Sequence, residues 1–149
     1  MRTRLQVLAL VLSLSAVTAC GGEDGLSKEE FIAQGDAVCE QLGKDTEAVP
    51  APTGQDGVEE YVTSLTGLVE GAKSDFSALE APSDGKDLQT DIVGALDTAI
   101  DILEGAAAAA ASGDLEAARE AVPEGAAEES KAVSKQAKEY GFASCGAEL

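Results

Sequence analysis

The sequence predicts an all-α fold, a four-helix up-down-up-down bundle closed by one disulfide. Four segments carry apolar residues at intervals of three and four, which is the helical period, and no segment alternates apolar and polar residues as a half-buried strand does. Three short breaks join these segments, and short connections favour antiparallel neighbouring helices. A chain of 149 residues leaves room for one domain.

Residues 1–19 are predicted to be a signal peptide that is removed. Arg2 and Arg4 precede fifteen uncharged and mostly apolar residues, a pattern typical of an export signal. A fifteen-residue helix is about 22 Å long, short of the roughly 30 Å hydrocarbon core of a bilayer, so we do not expect a permanent membrane span there. Cleavage takes away both arginines and changes the net charge from −18 to −20.

The signal segment ends in Val17-Thr18-Ala19-Cys20, which resembles the lipobox of bacterial lipoproteins. The resemblance implies that the Cys20 thiol takes a diacylglyceryl group and that cleavage makes Cys20 the first residue. Ordinary secretion is the alternative, because small residues before Cys20 also suit cleavage for soluble release. Residues 20–26 would then form a Gly-rich tether, and residues 27–149 an acidic helical domain held close to the membrane.

The first helix of this domain is predicted from Ser27 to about Glu47. Ser27 and Glu30 have the spacing of a capping box, in which each side chain binds the other's backbone amide. The apolar stripe of this helix consists of Phe31, Ile32, Val38, Cys39 and Leu42. Pro50 and Pro52 end the pattern, because proline lacks the amide donor that a helix needs.

The second helix is predicted over about Asp56 to Leu79 and has the most regular pattern of the four. Its stripe consists of Val58, Tyr61, Val62, Leu65, Leu68, Val69, Ala72, Phe76 and Leu79. The break at residues 81–83 separates it from a third helix, from about Asp84 to Ala111. The stripe of that helix consists of Leu88, Ile92, Val93, Ala95, Leu96, Ala99, Ile100 and Leu103.

A fourth helix is predicted after Gly113, which suits a C-cap, and Asp114, which suits an N-cap. Its stripe consists of Leu115, Ala118, Val122, Ala126, Val133, Ala137 and Tyr140. Pro123 lies within this stretch, so we expect it to kink the helix or to split it in two.

The three cysteines predict one disulfide. If Cys20 is lipidated, Cys39 and Cys145 remain as a pair in an oxidising compartment. In an antiparallel bundle the end of the fourth helix lies beside the start of the first, and the five residues 141–145 can fold back roughly 17 Å to reach Cys39. Two separately buried thiols are the alternative, and a metal pair would lack the further ligands that complete a site.

Composition and motifs exclude several classes of function. A net charge of −18 excludes a nucleic-acid binder, which needs a basic surface. The chain contains no histidine, no nucleophile elbow and no phosphate-binding loop. We therefore expect neither an enzyme nor a bound cofactor. Asp97, Asp101 and Glu104 share one helix face and are weak candidates for a cation site, although a solvated acidic face explains them as well.

The lipobox, the Ala- and Gly-rich acidic body, Phe31 with Val38-Cys39, and the closing segment from Tyr140 to Cys145 together resemble the small exported lipoproteins of high-G+C Gram-positive bacteria. The resemblance implies an extracytoplasmic protein on the cell membrane and supplies no catalytic residues. The expected function is a non-catalytic interaction or structural module of the cell envelope, anchored to the membrane by its N-terminal lipid. The alternative is a lipoprotein that binds a small ligand or a divalent cation, through its acidic helix faces or the bundle interior.

Overall fold

The computed structural model describes residues 25–54, 57–113 and 122–146, which contain four helices and no strand. The helices are α1 (Lys28–Ala48), α2 (Val58–Ser77), α3 (Lys86–Ser112) and α4 (Ala126–Tyr140). The contacts join α1 to α2, α2 to α3 and α3 to α4, which confirms the up-down bundle that the sequence predicts.

The helix ends follow from the residues that cap them. Ser27 Oγ accepts a hydrogen bond from the backbone N–H of Glu30 at 3.2 Å, and the Glu30 carboxylate accepts one from the backbone N–H of Ser27 at 3.0 Å, so the capping box is confirmed. The Ser27 hydroxyl also donates to this carboxylate and lowers the pKa of Glu30. Gly113 ends α3 with a φ of +73°, which favours glycine. Asp114, the expected N-cap, lies outside the described residues.

Pro123 interrupts the predicted fourth helix. The backbone N–H of Ala126 donates to the Pro123 carbonyl at 3.2 Å in a turn that precedes α4, and Gly125 in that turn has a φ of +90°. Of the two expected effects of Pro123, the described residues show no kink within α4, because the helix begins only after the proline. Leu115 and Ala118, which the sequence assigns to the same helix, lie outside the described residues.

Aromatic side chains form the centre of the core at one end of the bundle. Phe31 and Phe76 are fully buried, and Phe142 is almost so. The Phe31 ring packs edge-on against the other two, with centroid distances of 5.9 Å to Phe76 and 5.4 Å to Phe142. Gly35 lies directly beneath the rings, because a Cβ on it would stand 2.6 Å from Phe142 Cε1. Glycine at this position lets α1 approach the rings closely.

Residues 141–146 form a hook that folds back from α4 to α1. The backbone N–H groups of Ala143, Ser144 and Cys145 all donate to the Asp36 carboxylate, over 2.7–3.1 Å. Cys145 is bonded to Cys39, 106 residues earlier in the chain, with 5.3 Å between their Cα atoms. The predicted disulfide is therefore present, and one carboxylate satisfies three amides that would otherwise lack partners.

Candidate functional site

A groove between α3 and α4 is the main candidate for a functional site. It encloses about 370 Å³, which is within the roughly 300–1,000 Å³ of small-molecule sites. Its lining is predominantly apolar and includes Ala95, Ala99, Ile102, Val122, Ala126 and Ala127. Most of these are alanines, and small side chains on facing helices leave space that larger ones would fill.

The mouth of the groove exposes Val122, whose side chain is 48 % accessible. Among the described residues it is the one large hydrophobic side chain that is exposed.

Ser134 is the exceptional polar residue of the groove. It lies on the buried side of α4 with Val133 and Ala137, and only 5 % of its surface is accessible. Within the described part of the chain it is the one buried polar side chain, and its Oγ has no hydrogen-bond partner there. A buried hydroxyl without a partner destabilises a fold by about 1–3 kcal/mol, so its presence calls for an explanation.

The remaining polar groups of the groove are differently placed. Thr98 Oγ1 donates to the Gly94 carbonyl at 3.1 Å, so its hydrogen already has an acceptor. Glu129 and Lys131 are exposed residues on the α4 side and carry opposite charges. Ser130 also lines the groove, so the α4 wall carries polar side chains beside its alanines, and the opposite wall is mostly apolar.

Two further hollows are less suitable. A cleft of about 160 Å³ lies between α1 and α2, below the usual size of a ligand site. A hollow of about 320 Å³ between α2 and α3 is lined by the ion pair of Lys73 with Asp97, together with Glu70, Ser74 and Ile100. Charged groups that already bind each other leave little for a ligand to gain there.

The same ion pair bears on the candidate cation site. Asp97 binds Lys73 of the neighbouring helix, while Asp101 and Glu104 are exposed further along α3. Over residues 25–54, 57–113 and 122–146, no group of three or more cysteines and carboxylates is arranged to hold a metal ion. The structure thus provides Asp97 with a cationic partner that the sequence pattern did not indicate.

The other predicted site residues divide into two groups. Cys39 and Cys145 are brought together as a disulfide that holds the hook on α1. Cys20, the predicted lipidation site, lies outside the described residues. None of the helices in the part of the chain that the structure describes is long and apolar enough to span a membrane.

Sequence reasoning missed Ser134, Asp36 and Phe142. Ser134 leaves a detectable signal, because it follows Ala126 by eight residues and precedes Ala137 by three, which places it on the apolar stripe of its helix. Asp36 leaves none, because its partners are backbone amides more than 100 residues away, and any sequence provides such amides.

Comparison with known proteins gives no match among family models, curated proteins or solved structures. The described residues form a small domain of four helices, and a helical bundle supports many unrelated functions. Its function is therefore argued from the groove and from the cysteines.

Proposed function

We propose that the protein is a lipid-anchored, extracytoplasmic module of the cell envelope, without catalytic activity, that binds another molecule in its α3–α4 groove. The observation that carries the proposal is the predominantly apolar groove of about 370 Å³ between α3 and α4. A concave, mostly apolar surface of this size is typical of small-molecule sites.

The disulfide supports the anchor. With Cys39 and Cys145 bonded to each other, Cys20 is the odd cysteine of the chain. An odd thiol in an exported protein needs its own chemistry, and diacylglyceryl transfer to a lipobox cysteine provides it. Two or three acyl chains hold a protein stably at a membrane, whereas a single chain holds it only reversibly.

The tether joins the body at the end of the bundle that carries the α2–α3 turn. The backbone N–H of Leu26 donates to the Glu80 carbonyl at 2.7 Å, beside that turn. A Gly-rich chain of seven residues, the length of residues 20–26, spans about 14 Å. Ala95 and Ile102, which line the groove, follow the start of α3 by about 14 and 24 Å at 1.5 Å per residue.

The anchor is tested by replacing Cys20 with serine. The Cys20→Ser protein should leave the membrane fraction, because it lacks the thiol that takes the lipid. Fractionation of cells that express each form checks this. Equal retention of both forms in washed membranes would refute the anchor.

The binding groove is tested with a photoreactive phenylalanine in place of Ala127, which lines the groove and is exposed. Irradiation of intact cells should add the mass of a partner to the protein, and a groove-filling Ala99→Phe change in the same chain should abolish the adduct. The matched controls are the photoreactive residue at Gln136, an exposed α4 position outside the groove lining, and Ala108→Phe on an exposed part of α3. The same adduct at both positions, or none at Ala127, contradicts the proposal.

A further inference from the structure

Several contacts besides the disulfide hold the hook against the bundle. Gly141 begins the hook with a φ of +125°, and the backbone N–H of Phe142 donates to the Ala137 carbonyl at 3.0 Å. The Phe142 side chain is buried in the aromatic core. Gly146 lies so close to α4 that a Cβ on it would stand 2.9 Å from Lys138 Cβ. None of these contacts involves a sulfur atom.

The Asp36 carboxylate makes the main polar contact of the hook with α1. It accepts from three consecutive backbone N–H groups, those of Ala143, Ser144 and Cys145, over 2.7–3.1 Å. Consecutive N–H groups that converge on one anion form a nest, and hydrogen bonds to a charged acceptor are about twice as strong as neutral ones. Cys39 follows Asp36 by three residues on the same helix face, so the nest holds the Cys145 backbone beside Cys39.

The two cysteines differ in their exposure. Cys145 is 1 % exposed, whereas Cys39 is half-buried on α1. Reaction of a thiol with an oxidant requires access to its sulfur atom. With the hook docked, Cys39 is therefore the cysteine that an oxidant reaches first, and Cys145 is its resolving partner.

We propose that the Asp36 nest docks the hook before the disulfide forms, and that Asp36 thereby positions the Cys145 thiol for bonding to Cys39. Asp36 is a positioning residue, because its hydrogen bonds go to backbone amides and not to a reacting sulfur. In the finished bond the two Cα atoms are 5.3 Å apart across a separation of 106 residues. A hook that is already docked has closed this loop, so its entropic cost no longer opposes the bond.

The bond forms in two exchange steps with a disulfide oxidant, which is a small molecule such as oxidised glutathione or the disulfide of an oxidoreductase. The Cys39 thiolate attacks one sulfur of the oxidant, a mixed disulfide forms, and the other oxidant sulfur leaves as a thiolate. The Cys145 thiolate then attacks Cys39 Sγ, and the remaining oxidant sulfur leaves. The two thiol protons pass to the two released thiolates, so the cysteines lose two electrons and the oxidant gains them.

The first experiment measures hydrogen exchange by NMR in the full chain, purified in detergent and reduced with dithiothreitol. The amides of Ala143, Ser144 and Cys145 should exchange at least about tenfold more slowly than in a reduced peptide of residues 138–149. Exchange as fast as in the peptide overturns the proposal, whether the hook alone leaves α1 or the whole chain unfolds. This measurement needs no variant, so it is decisive even where Asp36→Asn does not fold.

The second experiment measures the equilibrium between thiols and disulfide in buffers of reduced and oxidised glutathione. Alkylation and mass spectrometry give the fraction of Cys39–Cys145 bond, and hence the effective concentration of one thiol at the other. Asp36→Asn should lower this effective concentration about tenfold, the factor for one charge-assisted hydrogen bond. Asp45→Asn is the matched control, because Asp45 lies on the same helix and accepts from Gln41 of that helix at 2.8 Å.

The effective concentration separates positioning from a purely structural role. A structural carboxylate stabilises the reduced and oxidised states equally and leaves the effective concentration unchanged, so equal values in the wild type and Asp36→Asn overturn the proposal. An equal fall in Asp36→Asn and Asp45→Asn overturns it as well, because the loss would then come from the charge of α1. A fall confined to Asp36→Asn, together with slow exchange of the hook amides in the reduced wild type, supports it.

The order of attack is tested with single cysteine variants and oxidised glutathione. Cys145→Ser should accumulate the mixed disulfide of Cys39 with glutathione, whereas Cys39→Ser should leave Cys145 at least about tenfold less modified, since it is buried under the docked hook. Equal rates of modification would show that the hook is undocked in the reduced chain, which overturns the proposal.

Discussion

Two regions of this bundle differ in how well they are packed and how well their polar groups are satisfied. The hook region comprises the hook with Phe31, Asp36 and Phe76, and the groove region comprises the facing residues of α3 and α4 that line the groove. In the hook region, three phenylalanines interlock above Gly35, and one Asp36 carboxylate accepts from three backbone amides. In the groove region, alanines leave about 370 Å³ open, and the Ser134 hydroxyl has no partner among the described residues. The difference shows that one region fills its core and satisfies its buried polar groups, whereas the other leaves open volume and an unpaired buried hydroxyl, both of which lower stability.

Removal of the disulfide should have the largest effect on the hook region. The Cys39→Ala, Cys145→Ala double variant should lose about 4 kcal/mol of unfolding free energy. Without the bond, the unfolded chain between the two positions, 106 residues apart, gains conformational entropy. Urea denaturation measures the loss.

Reduction of the wild type with dithiothreitol is the control and should reproduce most of that loss. If the double variant and the reduced protein each lose less than about 1 kcal/mol, the disulfide does not hold the hook region together.

A pair of glycine substitutions should separate the packed core from the open surface. Gly35→Ala should destabilise the protein by about 2 kcal/mol, because its Cβ would meet the Phe142 and Phe76 rings at 2.6 and 2.9 Å. Gly94→Ala, within α3 and free of neighbours within 4 Å, should stabilise it by about 0.5–1 kcal/mol. Thermal melts should show a lower melting temperature for Gly35→Ala and a higher one for Gly94→Ala. Equal changes in melting temperature for the two variants would show that the hook region is not tightly packed.

The sequence predicts the helices better than it predicts the contacts between their ends. Periodic stripes, the Ser27 capping box and the cysteine count indicate the helices and the disulfide, because each of these signals is local or countable. The Asp36 contacts and the Lys73–Asp97 pair join distant parts of the chain, and no local pattern encodes them.

The sequence did not predict the groove either, because the groove depends on which residues of two distant helices face each other. Ala95 and Ala99 belong to the apolar stripe of α3 and look like core residues in sequence. They line a groove only because the facing residues of α4, among them Ala126, are small as well. The carboxylate candidates chosen from the sequence lie elsewhere on α3.

A smaller effect than that of the glycine pair should appear at alkaline pH, because the Tyr140 phenol is only partly buried and solvent screens its interactions. Burial, followed by the hydrogen bond to Asp84 and the charges of Asp84 and Glu29, raises the pKa of Tyr140 to about 12. The folded state therefore keeps its phenol protonated after the unfolded state, with a pKa of about 10, has lost the proton. Stability contributed by this phenol is complete below pH 10 and falls as the pH rises from about 10 to about 12.

The phenolate absorbance of the wild type minus that of Tyr140→Phe measures this titration. A midpoint near pH 12 is expected, and the Tyr140→Phe protein should lose less stability than the wild type over the same range. A difference midpoint near 10 would mean that the phenol is not held at the end of α4 as described.

Thermal unfolding of the wild type and of Ser134→Ala tests most directly whether the groove region carries an unsatisfied buried hydroxyl. Ser134→Ala should melt about 4 °C higher, since it removes a buried unpaired group at a cost of about 1 kcal/mol and adds a better helix former. A variant that melts at or below the temperature of the wild type would contradict the account.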